Sequence, residues 1–125
     1  MKILLDTHVA LWWGNDPSRL LDEARAAIED GANEVLLSSA SVWEAEIKMV
    51  AGRLAAQWPL DEVAAESGIA ELPIRWNHAR RAAALPGLHR DPFDRMLVAQ
   101  ALEEGLVLLT RDPLIGQYAV STMAA

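Results

Sequence analysis

Apolar positions fall along the chain in two alternating patterns. Ile3-Leu4-Leu5, Val35-Leu36-Leu37, Ile69 to Leu72 and Leu106 to Leu109 are short continuous runs, the form expected of parallel strands buried on both faces. The segments between them have the longer period of helices. Residues 7 to 13 follow the first strand, and Ser18 to Asp30 reads as a helix closed by Gly31. Ser39 is placed to cap a helix that runs to about Ala51 and stops at Gly52, with Trp43, Ile47, Val50 and Leu54 on one stripe. A short helix over residues 60 to 67 lies behind Pro59, and Trp76 to Leu85 is a helix ended by Pro86-Gly87. Pro113 to Gln117 gives a last turn and Ala119 to Ser121 an edge strand. Strands alternating with helices predict a single α/β domain over residues 1–125, with a mostly parallel sheet between helical layers. No internal repeat, low-complexity tract or linker interrupts it.

Composition narrows the chemistry. A chain of 125 residues that is 52% hydrophobic buries roughly two thirds of its unfolded surface, enough for a real core. The absence of cysteine excludes disulfides and thiolate metal sites, so the cytoplasm is the expected compartment. Asp6 stops the first apolar run too early for a secretory leader, and no segment approaches the ~20 apolar residues of a membrane span. The formal charge of −7 opposes loose binding to nucleic acid, which needs surplus lysine and arginine. An RNA partner therefore requires something to offset the acid.

The acids themselves supply a candidate. In HRDPFDRMLVAQA, residues 89 to 101, Asp91 precedes Pro92 as the N-cap of a helix with proline in its first turn. Asp94 falls one turn in, on the face of Leu97, Val98 and Ala101, which ought to be buried. A carboxylate aimed at a core needs a partner, and a cation is one. Asp6 ends the first strand and Asp112 follows the fourth, although each can also be read as a helix cap. Strand ends that lead into helices share one edge of a parallel sheet, where ligands bind. Glu44, early in the helix after the second strand, approaches the same edge; it can equally complete a capping box with Ser41 or pair with Lys48. Four carboxylates without a histidine or cysteine at fixed spacing suit Mg2+ or Mn2+ better than zinc. Two such ions would move the formal charge from −7 to −3. His8 and His89 flank the aspartates and read as hydrogen-bonding neighbours more than as ligands.

LLDTHVALWW (4–13), SSASVWEAEIK (38–48), HRDPFDRMLVAQA (89–101) and LLTRD (108–112) resemble, in order and separation, the four blocks of the PIN-domain ribonucleases, specifically the VapC-type toxins of prokaryotic toxin-antitoxin pairs. The resemblance spans nearly the whole chain and implies a PIN-like α/β/α sandwich. It matches Asp6, Glu44, Asp94 and Asp112 to the acidic quartet that holds Mg2+ or Mn2+, Asp6 and Asp94 most firmly, with Asp91 at a recurrent position outside it. It implies endonucleolytic cleavage of RNA, a homodimer, and inhibition by a cognate VapB-like antitoxin whose tail occupies the active-site groove, in some cases within a larger toxin-antitoxin assembly. Thr7, Thr110, Asp91, Arg95 and Arg111 are candidates to support the carboxylates or to touch substrate. Arg95 has a second reading as an i,i+4 partner of Asp91, and Arg90 joins Arg95 and Arg111 as a possible phosphate contact.

Other functions remain to be weighed. An aspartate-based phosphotransfer or phosphatase domain also gathers acids at a sheet edge, but the dehalogenase-like pattern needs an aspartate two after the first, where His8 stands. A receiver would want a late lysine, and none follows Lys48. A non-catalytic module using the same groove for a protein is the closer rival. Trp12 and Trp13, about 100° apart on a helix, are not expected to bury equally in one core: either one of them meets a partner, or both pack in the core or beneath the helix that follows.

Overall fold

A computed structural model describes residues 1–125. Five strands form one sheet in the order β3-β2-β1-β4-β5, where β1 is Lys2–Leu5, β2 Glu34–Ser38, β3 Ala70–Leu72, β4 Val107–Thr110 and β5 Thr122–Ala124. Every pairing is parallel. The helices are α1 Thr7–Asn15, α2 Asp22–Glu29, α3 Ser39–Val50, α4 Leu60–Ser67, α5 Trp76–Ala84 and α6 Pro92–Glu104, making the α/β/α sandwich that the strand runs predict.

Alternate strand residues supply two cores. Ile3, Leu5, Val35, Leu37 and Leu109 pack with α1, α2 and Leu60 of α4 on one face. Leu4, Leu36 and Leu108 pack with Leu97, Val98 and Ala101 of α6 on the other. Continuous apolar strands are thus explained by burial on both sides. Close approach of α1 to α4 is allowed by Gly14, where a Cβ would stand 2.5 Å from a Val63 methyl.

Several boundaries differ from expectation. The helix read over 18–30 is broken: a 3-10 turn covers Pro17–Arg19, and Leu20 is extended and buried. The Leu21 amide donates to the Ala125 carbonyl (2.8 Å), a tertiary bond that competes with helix continuation. The α2 helix ends at Glu29 with Asp30 extended, so Gly31 supplies no left-handed cap. Ser38, not Ser39, caps α3, its hydroxyl accepting from the Ala40 amide. The expected strand at 119–121 lies instead at Thr122–Ala124, beside β4. The α3 stripe faces outward: Trp43 and Val50 are 62% and 88% exposed, while Leu54 lies beyond the helix and packs on the core. The buried face of α3 is Ala40, Ser41, Glu44 and Ala45. No helix is long and apolar enough to cross a membrane.

Candidate metal centre

Parallel pairing brings the C-terminal ends of β1, β2 and β4 to one edge, and the acids stand there. Asp6 follows β1 directly and is buried. It occupies the N-cap position of α1 yet makes no side-chain capping bond, so its carboxylate is not accounted for by the helix. One oxygen, Oδ2, accepts from the Thr110 hydroxyl (2.6 Å) at the end of β4. The other, Oδ1, is buried with no partner.

Glu44 is likewise buried, with Oε2 accepting from Lys48 Nζ (2.7 Å) and Oε1 unpartnered. The Lys48 pairing is therefore real, and it leaves half of the carboxylate free. The capping box with Ser41 does not form, because Ser41 lies inside the helix, where its Oγ accepts from the Thr7 hydroxyl (2.9 Å). Thr7 thus buttresses the helix that carries Glu44, and Thr110 orients Asp6.

Asp91 caps α6, accepting from the Phe93 amide (2.8 Å) and, more weakly, from that of Asp94 (3.5 Å). Asp94 stands one turn in. His89 gathers the remaining acids: Nε2 lies 2.8 Å from Asp112 Oδ2 and 3.1 Å from Asp94 Oδ2. The Asp91 amide donates to His89 Nδ1 (3.1 Å), which assigns the ring proton to Nε2 as a donor to those carboxylates. Donor atoms of His89, Asp94 and Asp112 lie within 4.8 Å of one another. Asp112 also accepts from the Leu114 amide (2.8 Å), a local turn bond that accompanies no α-helix.

The electrostatics follow from crowding acids out of water. Burial raises the pKa of Asp6 above its usual range, with the charges of Asp112 and Glu44 adding to it while the Thr110 bond and His8 oppose it. Asp94 is pushed up to about 7, first by burial, then by Asp6 and Asp91, against the opposing effect of His89. Such a site disfavours its own fully ionised form, a cost that a bound cation would relieve. Asp6 Oδ1 and Glu44 Oε1 lack any hydrogen-bond donor, as does Gln100 Oε1 beside Pro73 and His78, whereas buried polar atoms are normally satisfied. The carboxylate oxygens of Asp6, Glu44, Asp94 and Asp112 suit a hard divalent cation, with the His89 ring nitrogen beside the last two.

The arginines do other work. Arg95 makes no pair with Asp91; its guanidinium donates to the carbonyls of Ala82, Leu85 and Pro86 (2.9 Å each) and that of His89 (3.3 Å). That clamp ties the end of α5 and the loop bearing His89 to α6 and engages both terminal nitrogens of Arg95 with backbone carbonyls. Arg111 donates to the Ala125 carbonyl (2.8 Å) and lies over the Trp12 ring at 4.4 Å. Arg90 is exposed beside His89. Trp12 and Trp13 are both half-buried against the first core, and the Trp13 indole N–H donates to Ser67.

Tyr118 was not singled out by sequence. Its hydroxyl donates to the Pro86 carbonyl (2.8 Å) and accepts from the His89 amide (2.9 Å), fixing the loop before α6. Its signal was its rarity: it is the chain's one tyrosine, in a segment between two turns.

The sheet order and the acidic edge define a parallel α/β fold with carboxylates gathered at the strand ends, and comparison with known proteins names its family. The PIN domain family model matches residues 3–120, and the chain belongs to the PIN-domain family, as a VapC-type member. It is 35% identical over 115 residues to Ribonuclease VapC22 of Mycobacterium tuberculosis, covering 88% of this chain and 86% of that protein. Its fold is similar to VapBC2 from Rickettsia felis bound to a promoter DNA fragment, with a TM-score of 0.76, 15% identity, and 99% and 98% of the two chains covered. DNA-bound VapBC from Salmonella typhimurium gives a TM-score of 0.69 at 18% identity, covering 99% and 98%.

Proposed function

We propose that this protein is a Mg2+- or Mn2+-dependent endoribonuclease, the toxin of a type II toxin-antitoxin pair, acting in the cytoplasm. The observation that carries this reading is the pair of buried, unpartnered oxygens, Asp6 Oδ1 and Glu44 Oε1, on the edge that also bears Asp94 and Asp112. A buried acceptor left unsatisfied destabilises a fold by ~1–3 kcal/mol, so its retention in two neighbouring carboxylates points to a ligand. The relative's description as a ribonuclease supports RNA as the substrate.

In this reading Asp6 and Asp94 are the principal ligands, with Glu44 and Asp112 completing the set. When bound, a divalent cation neutralises the phosphodiester and acidifies water for attack on phosphorus. The chain's own groups prepare that chemistry. Thr110 occupies Asp6 Oδ2 and so turns Oδ1 to the site. Asp94 sheds its proton to take up the ligand role, and His89 holds Asp94 and Asp112 at a common point. The similar solved structures are VapBC complexes, which supports a VapB-like antitoxin as the partner of this protein; a homodimer is the toxin's own state in this reading.

The test is cleavage of a defined RNA by the purified chain with Mg2+, with Mn2+ and with chelator, beside Asp6→Asn. Internal cuts that need metal and fall at least about 100-fold in the variant are expected. A wild-type chain that cuts no RNA with either metal overturns the reading and leaves the groove to a protein partner. Co-expression with the neighbouring reading frame should abolish the cutting.

A further inference from the structure

We propose that the first turn of α5 is an accessory RNA-binding surface, where the Trp76 indole stacks on a base of single-stranded RNA while Arg75 and Arg80 contact its phosphates. This rests on the ribonuclease reading of the acidic edge and adds to it a second point of attachment for the same strand.

Trp76 is 88% exposed, an unusual position for the largest apolar side chain. The α5 helix buries His78 and Ala82, which turns Trp76 and Arg80 outward together, since four residues apart they share a face. Orientation is enforced locally: His78 is fully buried, accepts from the Arg75 amide through Nδ1 (3.0 Å) and meets Glu104 through Nε2 (2.8 Å). The result is a shallow depression lined by Ile74, Arg75, Trp76, Asn77 and Arg80.

Charge selects the occupant. The chain has 18 acidic residues against 11 basic ones, yet residues 73 to 90 contain Arg75, Arg80, Arg81 and Arg90 and no acid; the acids that α6 brings to this helix, Glu103 and Glu104, are engaged by Arg81, Asn77 and His78. Arg81 is taken by Glu103 (2.8 Å), whereas Arg75 and Arg80 are exposed and form no ion pair. Two free guanidinium groups beside an exposed indole match a polyanion with π-faces, the recognition mode of single-stranded nucleic acid. An acidic protein could satisfy the charges alone, but it gives the indole no stacking partner.

Position connects the patch to the chemistry. Leu72 ends β3 on the edge where β1, β2 and β4 deliver Asp6, Ser38 and Thr110, and Arg75 and Trp76 follow it within four residues. The β3 strand lies two places from β1, about 10 Å along that edge. The first turn of α5 meets Glu103 and Glu104 at the end of α6 remote from Asp94, about 15 Å along that helix, so a strand seated on the carboxylates must run on the order of 20 Å along the side of the molecule to reach Trp76. Metal-free, the carboxylates repel RNA, so this patch should carry most of the residual affinity.

The experiment is binding of a fluorescently labelled 12-nucleotide single-stranded RNA to the full chain in chelator, which prevents cleavage, across a salt series. Trp76→Ala should weaken binding about 10-fold and Trp76→Phe should retain most of it. The double variant Arg75→Ala/Arg80→Ala should lower the steepness of log affinity against log salt by about 1.4. All three should keep the wild-type melting temperature and elution volume. Affinity and salt slope unchanged in the variants, or no measurable binding by wild type in chelator, overturns the proposal. So does a Trp76→Ala variant that changes oligomeric state with RNA affinity intact, which would make the patch a protein interface. Adding Mg2+ separates this from the nuclease reading: binding through the patch without any cutting by wild type sinks only the latter, and cutting without an effect of the variants sinks only the former.

Discussion

Asp94 holds its proton unusually tightly for a carboxylic acid, and this has a sign that can be measured. Its pKa is raised from 3.8 to about 7, so between those values the folded protein binds more protons than the unfolded chain. Stability from this group is complete below about pH 4 and is lost as pH rises through about 7. The metal-free protein should therefore melt at progressively lower temperature from about pH 4 to about pH 7, Asp6 contributing in the same direction. Asp94→Asn should flatten much of that slope and raise the metal-free melting temperature at pH 8. Mg2+ should raise the wild-type melting temperature at pH 8 more than at pH 6, and the variant's hardly at all. A melting temperature that climbs with pH in chelator would contradict the geometry. Glu44 and Lys48 give a second contrast. Because Glu44 is buried, Lys48→Met strands a charge and should destabilise by ~1–3 kcal/mol, well beyond an exposed pair. Glu44→Gln should melt no lower than wild type yet cut RNA at least about 10-fold more slowly. Equal cleavage by both variants would return Glu44 to a purely structural role.

At the scale of elements, α6 and the loop before it decide whether the acids meet. Asp91 accepts the first free amides of α6, so Asp91→Ala should lose ~1 kcal/mol, whereas Asp91→Asn, itself a good cap, should keep both stability and cleavage. Loss of cleavage by Asp91→Asn with its melting temperature intact would move Asp91 into the catalytic set. Arg95 acts through the loop: Arg95→Met removes donors to the carbonyls of Ala82, Leu85, Pro86 and His89 and should destabilise by on the order of 2 kcal/mol. Amide exchange over residues 85–90 should speed up more than exchange in β1, and uniform protection across both would argue against the clamp. This role was illegible in sequence. Spacing offers Arg95 an acidic neighbour at Asp91, while the carbonyls it serves are exposed only by the irregular turn at Pro86-Gly87. The break within residues 18–30 was hidden for the same reason, since the Leu21 amide is claimed by Ala125, far along the chain.

Over the whole molecule, what could be read in advance was whatever depended on strand polarity. Apolar runs read as parallel strands place Asp6 and Asp112 on one edge, the position of Glu44 early in the helix after β2 brings it to the same edge, and the period of α6 puts Asp94 on that helix's buried face. What could not be read were the bonds among neighbours, above all the bridging of Asp94 and Asp112 by His89, because side chains from different segments have no spacing to count. The outward turn of Trp43 and Val50 was equally hidden: an apolar stripe does not declare which side of a helix meets the sheet.

The pairing of β1 with β4 also sets a timetable. Ile3 to Leu5 register against Val107 to Leu109, so the central pair of the sheet closes a loop of about a hundred residues. Contacts so distant form slowly, and a chain emerges from the ribosome N-terminus first at ~5–20 residues per second. When Asp6 leaves, Asp112 is still about 5 to 20 seconds from being made. A chain that stops before β4 lacks Thr110 and Asp112, and so cannot assemble the edge on which the four carboxylates meet.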